Sequence, residues 1–114
     1  MAKRLQTIVE TPAFLSAAKG VLSDEERAAV VDMVALDPEA GVSLGGGLRK
    51  RRIPLPGRGK SGGARVVLLF AGADVPTFLL TVFAKNERTN LTQQEQSQLV
   101  ALAKDMVDAY RRRG

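Results

Sequence analysis

The densest chemistry in this sequence lies between Arg49 and Arg65, where Arg49, Lys50, Arg51, Arg52, Arg58, Lys60 and Arg65 follow one another with no Asp or Glu between Glu39 and Asp74. A positive block of this kind draws polyanions and raises their encounter rate, and nucleic acid is the commonest such partner. A solvated edge strand would also carry lysine and arginine, which discourage aggregation. It would have no need of the four glycines in PGRGKSGGAR, residues 56–65.

Gly59-Lys60-Ser61 invites comparison with a nucleotide-binding loop. A Walker loop needs a glycine five positions before Gly59, a strand before it and a helix at once after it; the sequence has Pro54 at that position, and Gly62-Gly63 and a strand pattern after Ser61. A nucleotide held at a helix tip is therefore excluded. Side-chain direction in a strand repeats every two residues, so Lys50 and Arg52 share a face. Arg65 opens the next strand and Lys85 closes the one after, and cations from several segments can converge around a backbone phosphate.

Such a set can support RNA cleavage by the adjacent 2′-hydroxyl, which needs a proton acceptor, stabilisation of the anionic phosphorane and a donor for the departing 5′-oxygen. Arginine never sheds its proton and cannot be the base. A lysine can, where neighbouring cations and burial favour the neutral amine, and Lys50 has three arginines beside it. The expected roles are Lys50 as base or its electrostatic helper, Arg52 and Arg65 as phosphate clamps, and Lys85 as donor or second clamp. Glu87 is an alternative base. With no cysteine and no histidine, disulfides, thiol nucleophiles and Cys or His metal sites are removed. No cofactor or metal is expected.

These groups need a frame. Leu5 to Val9 reads as an opening strand, and Thr11-Pro12 as a helix start for a short helix over Phe14 to Lys19. Ser23 with Glu26 forms a capping box, and Ala28, Val31, Val34 and Ala35 recur at helical spacing until Asp37-Pro38. Gly41 to Gly47 reads as a glycine-rich connection. Leu48 to Leu55, Arg65 to Ala71 and Thr77 to Ala84 read as three strands of an antiparallel meander, with VVLLF central because it lacks polar alternation. Thr92 and Glu95 open a last helix whose apolar face is Leu99, Leu102, Ala103, Met106 and Tyr110. The expected fold is α+β, in the order strand, helix, helix, three strands, helix, as one domain over residues 1–114. At 45% hydrophobic and 25% charged residues the composition is that of a globular protein. No apolar run reaches bilayer length, and no signal peptide is evident. A cytoplasmic location is expected.

GLRKRRIPLPGRGKSGGARVVLLF, then FLLTVFAKNE and a closing amphipathic helix, resemble the RelE/HigB group of bacterial toxins from type II toxin–antitoxin pairs, over essentially the whole chain. The resemblance implies a twisted antiparallel sheet packed against helices, and entry into the ribosomal A site to cut mRNA and inhibit translation. It also implies inhibition by a cognate antitoxin, often a helix-turn-helix protein that binds operator DNA. It places the catalytic groups on Lys50, Arg52, Arg65 and Lys85, with Arg49, Arg51, Arg58, Lys60 and Asn86 as RNA-binding residues. Three departures stand out. Arg51 occupies a place where relatives often have an apolar residue, Asn86 stands where some carry a catalytic arginine, and the late catalytic tyrosine is missing. ParE-like relatives act on other targets, so the alternative is a non-catalytic toxin or a basic nucleic-acid-binding module of the same fold.

Overall fold

The computed structural model describes residues 5–55, 63–84 and 91–113. The order is β1 (Ile8–Glu10), α1 (Pro12–Ala18), α2 (Asp24–Leu36), β2 (Val42–Gly45), β3 (Leu48–Ile53), β4 (Ala64–Leu69), β5 (Thr77–Ala84) and α3 (Gln93–Arg113). The five strands form one sheet in the order β1-β5-β4-β3-β2. The α+β class is as expected. Two features differ from the sequence reading: the glycine-rich connection contains an additional strand, β2, and the sheet is mixed, because β1 runs parallel to β5.

The central position of β4 explains its unbroken apolar run. Ala64, Val66 and Leu68 enter a core with Phe14 and Ala18 of α1 and Val30 and Val34 of α2. Val67 and Leu69 enter a second core on the opposite face, with Ala103 and Val107 of α3. Helices thus cover both faces, and each fully buried aliphatic side chain contributes about 1.5–3 kcal/mol. The inward stripe of α2 is Val30, Val34 and Ala35, with Ala28 exposed. On α3, Val100 and Val107 join Ala103, whereas Leu102 and Tyr110 remain 48% and 43% exposed. Tyr110 is therefore not a core residue.

Local chemistry fixes the ends of these elements. Thr11 accepts from the Phe14 amide at 3.1 Å and donates its hydroxyl to the Leu79 carbonyl at 2.7 Å, so one residue ends β1 and starts α1. Ser23 and Glu26 complete both bonds of their capping box, and Thr92 and Glu95 do the same before α3. An ion pair of 3.1 Å joins Arg27 of α2 to Glu10 of β1.

The β2–β3 hairpin is built on Gly46-Gly47. Gly45 pairs with Leu48, and the two residues between have φ of 61° and 87°, the positive values that a two-residue turn of this hand requires. A β-carbon on Gly47 would lie 2.9 Å from Leu69 Cδ1 and 3.0 Å from the Phe70 carbonyl oxygen. Gly47→Ala is expected to cost about 2 kcal/mol or more, since the left-handed backbone alone costs about 1–2 kcal/mol for a residue with a β-carbon. A urea midpoint unchanged from wild type would contradict this account of the turn.

Helix α3, about 30 Å long at 1.5 Å per residue, is held along its length. Gln96 donates to the Leu44 carbonyl of β2 at 3.1 Å. Near the far end, Arg111 pairs with Asp74 at 3.1 Å and donates to the Ala71 carbonyl. The hydrogen bond from Arg111 holds the Asp74 carboxyl below its ordinary range. A depressed carboxyl stabilises the fold above its unfolded pKa, and that contribution disappears as pH falls through the folded value. Asp74→Asn should therefore lower the thermal midpoint slightly at neutral pH, with the difference vanishing in acid. Because the pair is exposed, added salt should shrink the effect.

Candidate nucleic-acid interface

Strand β3 carries four consecutive cations, and the pleat sends them to two faces. Leu48 packs in the α3-side core and Ile53 in the α1/α2-side core, so Lys50 and Arg52 share the α3 side while Arg49 and Arg51 share the other. The β3–β4 register sets Arg52 directly opposite Arg65 and Lys50 opposite Val67. In β5, Phe83 lies opposite Arg65 and Thr81 opposite Val67. Lys50, Arg52 and Arg65 thus form one cationic group on the α3 side, as the two-residue period suggested.

The environment of the three differs. Arg52 is exposed, and Lys50 and Arg65 are half-buried. Arg65 has buried Phe83 as its β5 neighbour, and its Nη1 is enclosed with no hydrogen-bond acceptor among the described residues. Opposed like charges on neighbouring strands are destabilising, and a buried donor without an acceptor costs about 1–3 kcal/mol. An oxyanion seated between Arg52 and Arg65 would be held by both charges. A phosphate suits this geometry because guanidinium presents paired donors to its oxygens.

Arg49 and Arg51 are used elsewhere. Arg49 Nε donates to the Glu39 carbonyl at 2.7 Å, and Arg51 Nη1 donates to the carbonyls of Met33 at 3.0 Å and Asp37 at 2.9 Å. Both side chains serve the end of α2 from the sheet's opposite face. These bonds give both side chains a structural role. The departure at Arg51 has its explanation here, since an inward-facing position becomes tolerable when helix-end carbonyls accept the guanidinium.

Arg58, Lys60, Lys85 and Asn86 lie outside the described residues, as does Glu87. The strand ends from which their segments depart are aligned: Ile53 pairs with Ala64, and Ala64 with Ala84, one residue beyond the row of Arg52, Arg65 and Phe83. Sequence reasoning did not find Val42, an apolar residue 62% exposed and opposite Lys50 on β2. Its signal was the alternation within VSLG, hidden by the flanking glycines. Among the described residues, no cluster of acidic groups suited to a metal ion occurs, and no helix is long and apolar enough to cross a membrane.

The family model of the RelE toxin of RelE/RelB toxin–antitoxin systems matches residues 7–113, a span that includes every strand and helix of the described residues. The protein therefore belongs to the RelE toxin family, as the toxin of a toxin–antitoxin pair whose partner is a cognate antitoxin.

Proposed function

We propose that this toxin is a ribosome-dependent mRNA endoribonuclease that inhibits translation, with the Lys50, Arg52 and Arg65 face as its phosphate site. The observation that carries the reading is the opposed Arg52–Arg65 pair on the face that also carries Lys50. In the reaction, the 2′-oxygen bonds to phosphorus, its proton passes to Lys50, and the P–O5′ bond breaks. Arg52 and Arg65 hold the phosphorane oxygens. Lys85 returns a proton to the 5′-oxygen, leaving a 2′,3′-cyclic phosphate and a 5′-hydroxyl.

Much of the rate comes from holding the 2′-oxygen, phosphorus and 5′-oxygen in line, a task the ribosome shares. The antitoxin, a helix-turn-helix protein that also places the complex on operator DNA, blocks RNA by covering the basic face or displacing α3.

The test is a purified translation system with mRNA-loaded ribosomes, naked mRNA being assayed in parallel. The proposal expects cut message only when ribosomes are present. Arrested translation with intact message would favour a non-catalytic toxin, and efficient cutting of naked mRNA would overturn ribosome dependence.

A further inference from the structure

The run Arg49-Lys50-Arg51-Arg52 contains no internal mark of which residues belong on which face. A one-residue slip of β3 would exchange Lys50 and Arg52 with Arg49 and Arg51, leaving the charge of each face unchanged. The flanking residues resist this weakly, because both sides of the sheet are apolar: Leu48 and Ile53 are each fully buried, in opposite cores. The Gly46-Gly47 turn pins one end of β3, and a second hold is needed along the run.

Helix α2 supplies it. Its last turn contains no basic residue, and its C-cap Asp37 leaves carbonyls to be satisfied. Arg51 brings the missing cation from the strand, spanning the Met33 and Asp37 carbonyls, while Arg49 holds the Glu39 carbonyl just beyond. A cation at a helix C-terminus is favoured by the dipole as well as by the hydrogen bonds. With the two odd-numbered arginines fastened to α2, Lys50 and Arg52 are committed to the opposite face, and Arg52 is held across from Arg65.

We infer that Arg51, assisted by Arg49, is a positioning residue for the phosphate site: it contacts no RNA and acts by fixing the register and facing of β3. This rests on the nuclease reading above, and Arg65→Ala is measured beside it to separate the two. Single-turnover cleavage on mRNA-loaded ribosomes gives the rate, and binding of a short single-stranded RNA against salt concentration gives the number of phosphate contacts.

Arg51→Met should slow cleavage at saturation about tenfold or more, the loss expected when a positioned group is displaced by an ångström or less, with the salt slope unchanged. Arg52→Met should flatten that slope by about 0.7, the value for one phosphate contact on a single strand. Arg51→Lys, whose ammonium can still reach a carbonyl, should restore most of the rate. Where Arg51→Met does not fold, Arg49→Met, which loses one exposed bond, should show slower cleavage at an unchanged slope. Wild-type cleavage in the Met variant that folds, or a slope flattened as in Arg52→Met, overturns the positioning role. Loss of cutting in Arg65→Ala beside full cutting in Arg51→Met overturns that role alone, whereas full cutting in both overturns the nuclease assignment of the face.

Discussion

Arg65→Ala is expected to lower the rate of mRNA cleavage about 10²- to 10³-fold, the range found when one preorganised charge-stabilising donor is removed from an active site. The effect is large because Arg65 opens the central strand and is half-buried, with buried Phe83 beside it. In such surroundings a guanidinium acts on developing phosphorane charge with little screening. The fold should tolerate the change. Loss of the packed aliphatic stem is offset by removal of the unmatched Nη1, so the stability should move by less than about 1 kcal/mol. Arg65→Lys supplies a point charge without the planar fork and should recover only part of the rate. Single-turnover kinetics and a thermal melt on the same preparations decide the matter; a slow enzyme that has also unfolded would not count in favour.

The largest stability effect is expected at Leu68, fully buried in the α1/α2-side core with Phe14, Val30, Val34 and Leu79. Leu68→Ala removes methyl and methylene groups where strands and helices meet and little can relax, at a cost of about 2–5 kcal/mol. Against a total stability of about 5–15 kcal/mol for a domain, that is a large fraction. The urea midpoint should fall while the slope stays constant, and Leu68→Met, which conserves volume, should cost less than about 1.5 kcal/mol. Because Leu68 faces away from the cationic group, Leu68→Ala should reduce cleavage only in proportion to the folded fraction. A loss under about 1 kcal/mol would show that the core closes over the gap.

Much of the frame could be read from the chain because its signals are local. Ser23 with Glu26 and Thr92 with Glu95 form the boxes that open α2 and α3, and the absence of polar residues in VVLLF marked the central strand. What escaped depends on contacts between distant residues. The direction of β1 against β5 is set by where α1 and α2 return the chain, which no local pattern records. β2 is four residues long and mostly exposed, with glycines on both sides, so the alternation of Val42 and Leu44 is too short to mark a strand.

The site divides in the same way. The two-residue period placed Lys50 with Arg52, but nothing local could show that Arg65 stands opposite Arg52, because that register is set across the ten residues between Ile53 and Ala64. At Arg49 and Arg51, composition counts a cation as a candidate ligand for RNA whichever way it points, and the structural bonds these side chains make are not legible in it. Only the position of the α2 carboxyl end reveals their partners. Leu99, Ala103 and Met106 of the expected α3 stripe pack in the core, but Val100 and Val107 join them there and the buried face turns away from Leu102 and Tyr110.

The central claim is that the face bearing Lys50, Arg52 and Arg65 cuts messenger RNA. Its most direct test is to map 5′ ends on translated mRNA after inducing the toxin without its antitoxin, comparing wild type with Arg65→Ala at matched protein levels. The account predicts new ends bearing a 5′-hydroxyl within translated codons for the wild type, and their loss together with growth arrest in the variant. Wild-type levels of these ends in Arg65→Ala would contradict it, as would growth arrest by the wild type with its messages intact.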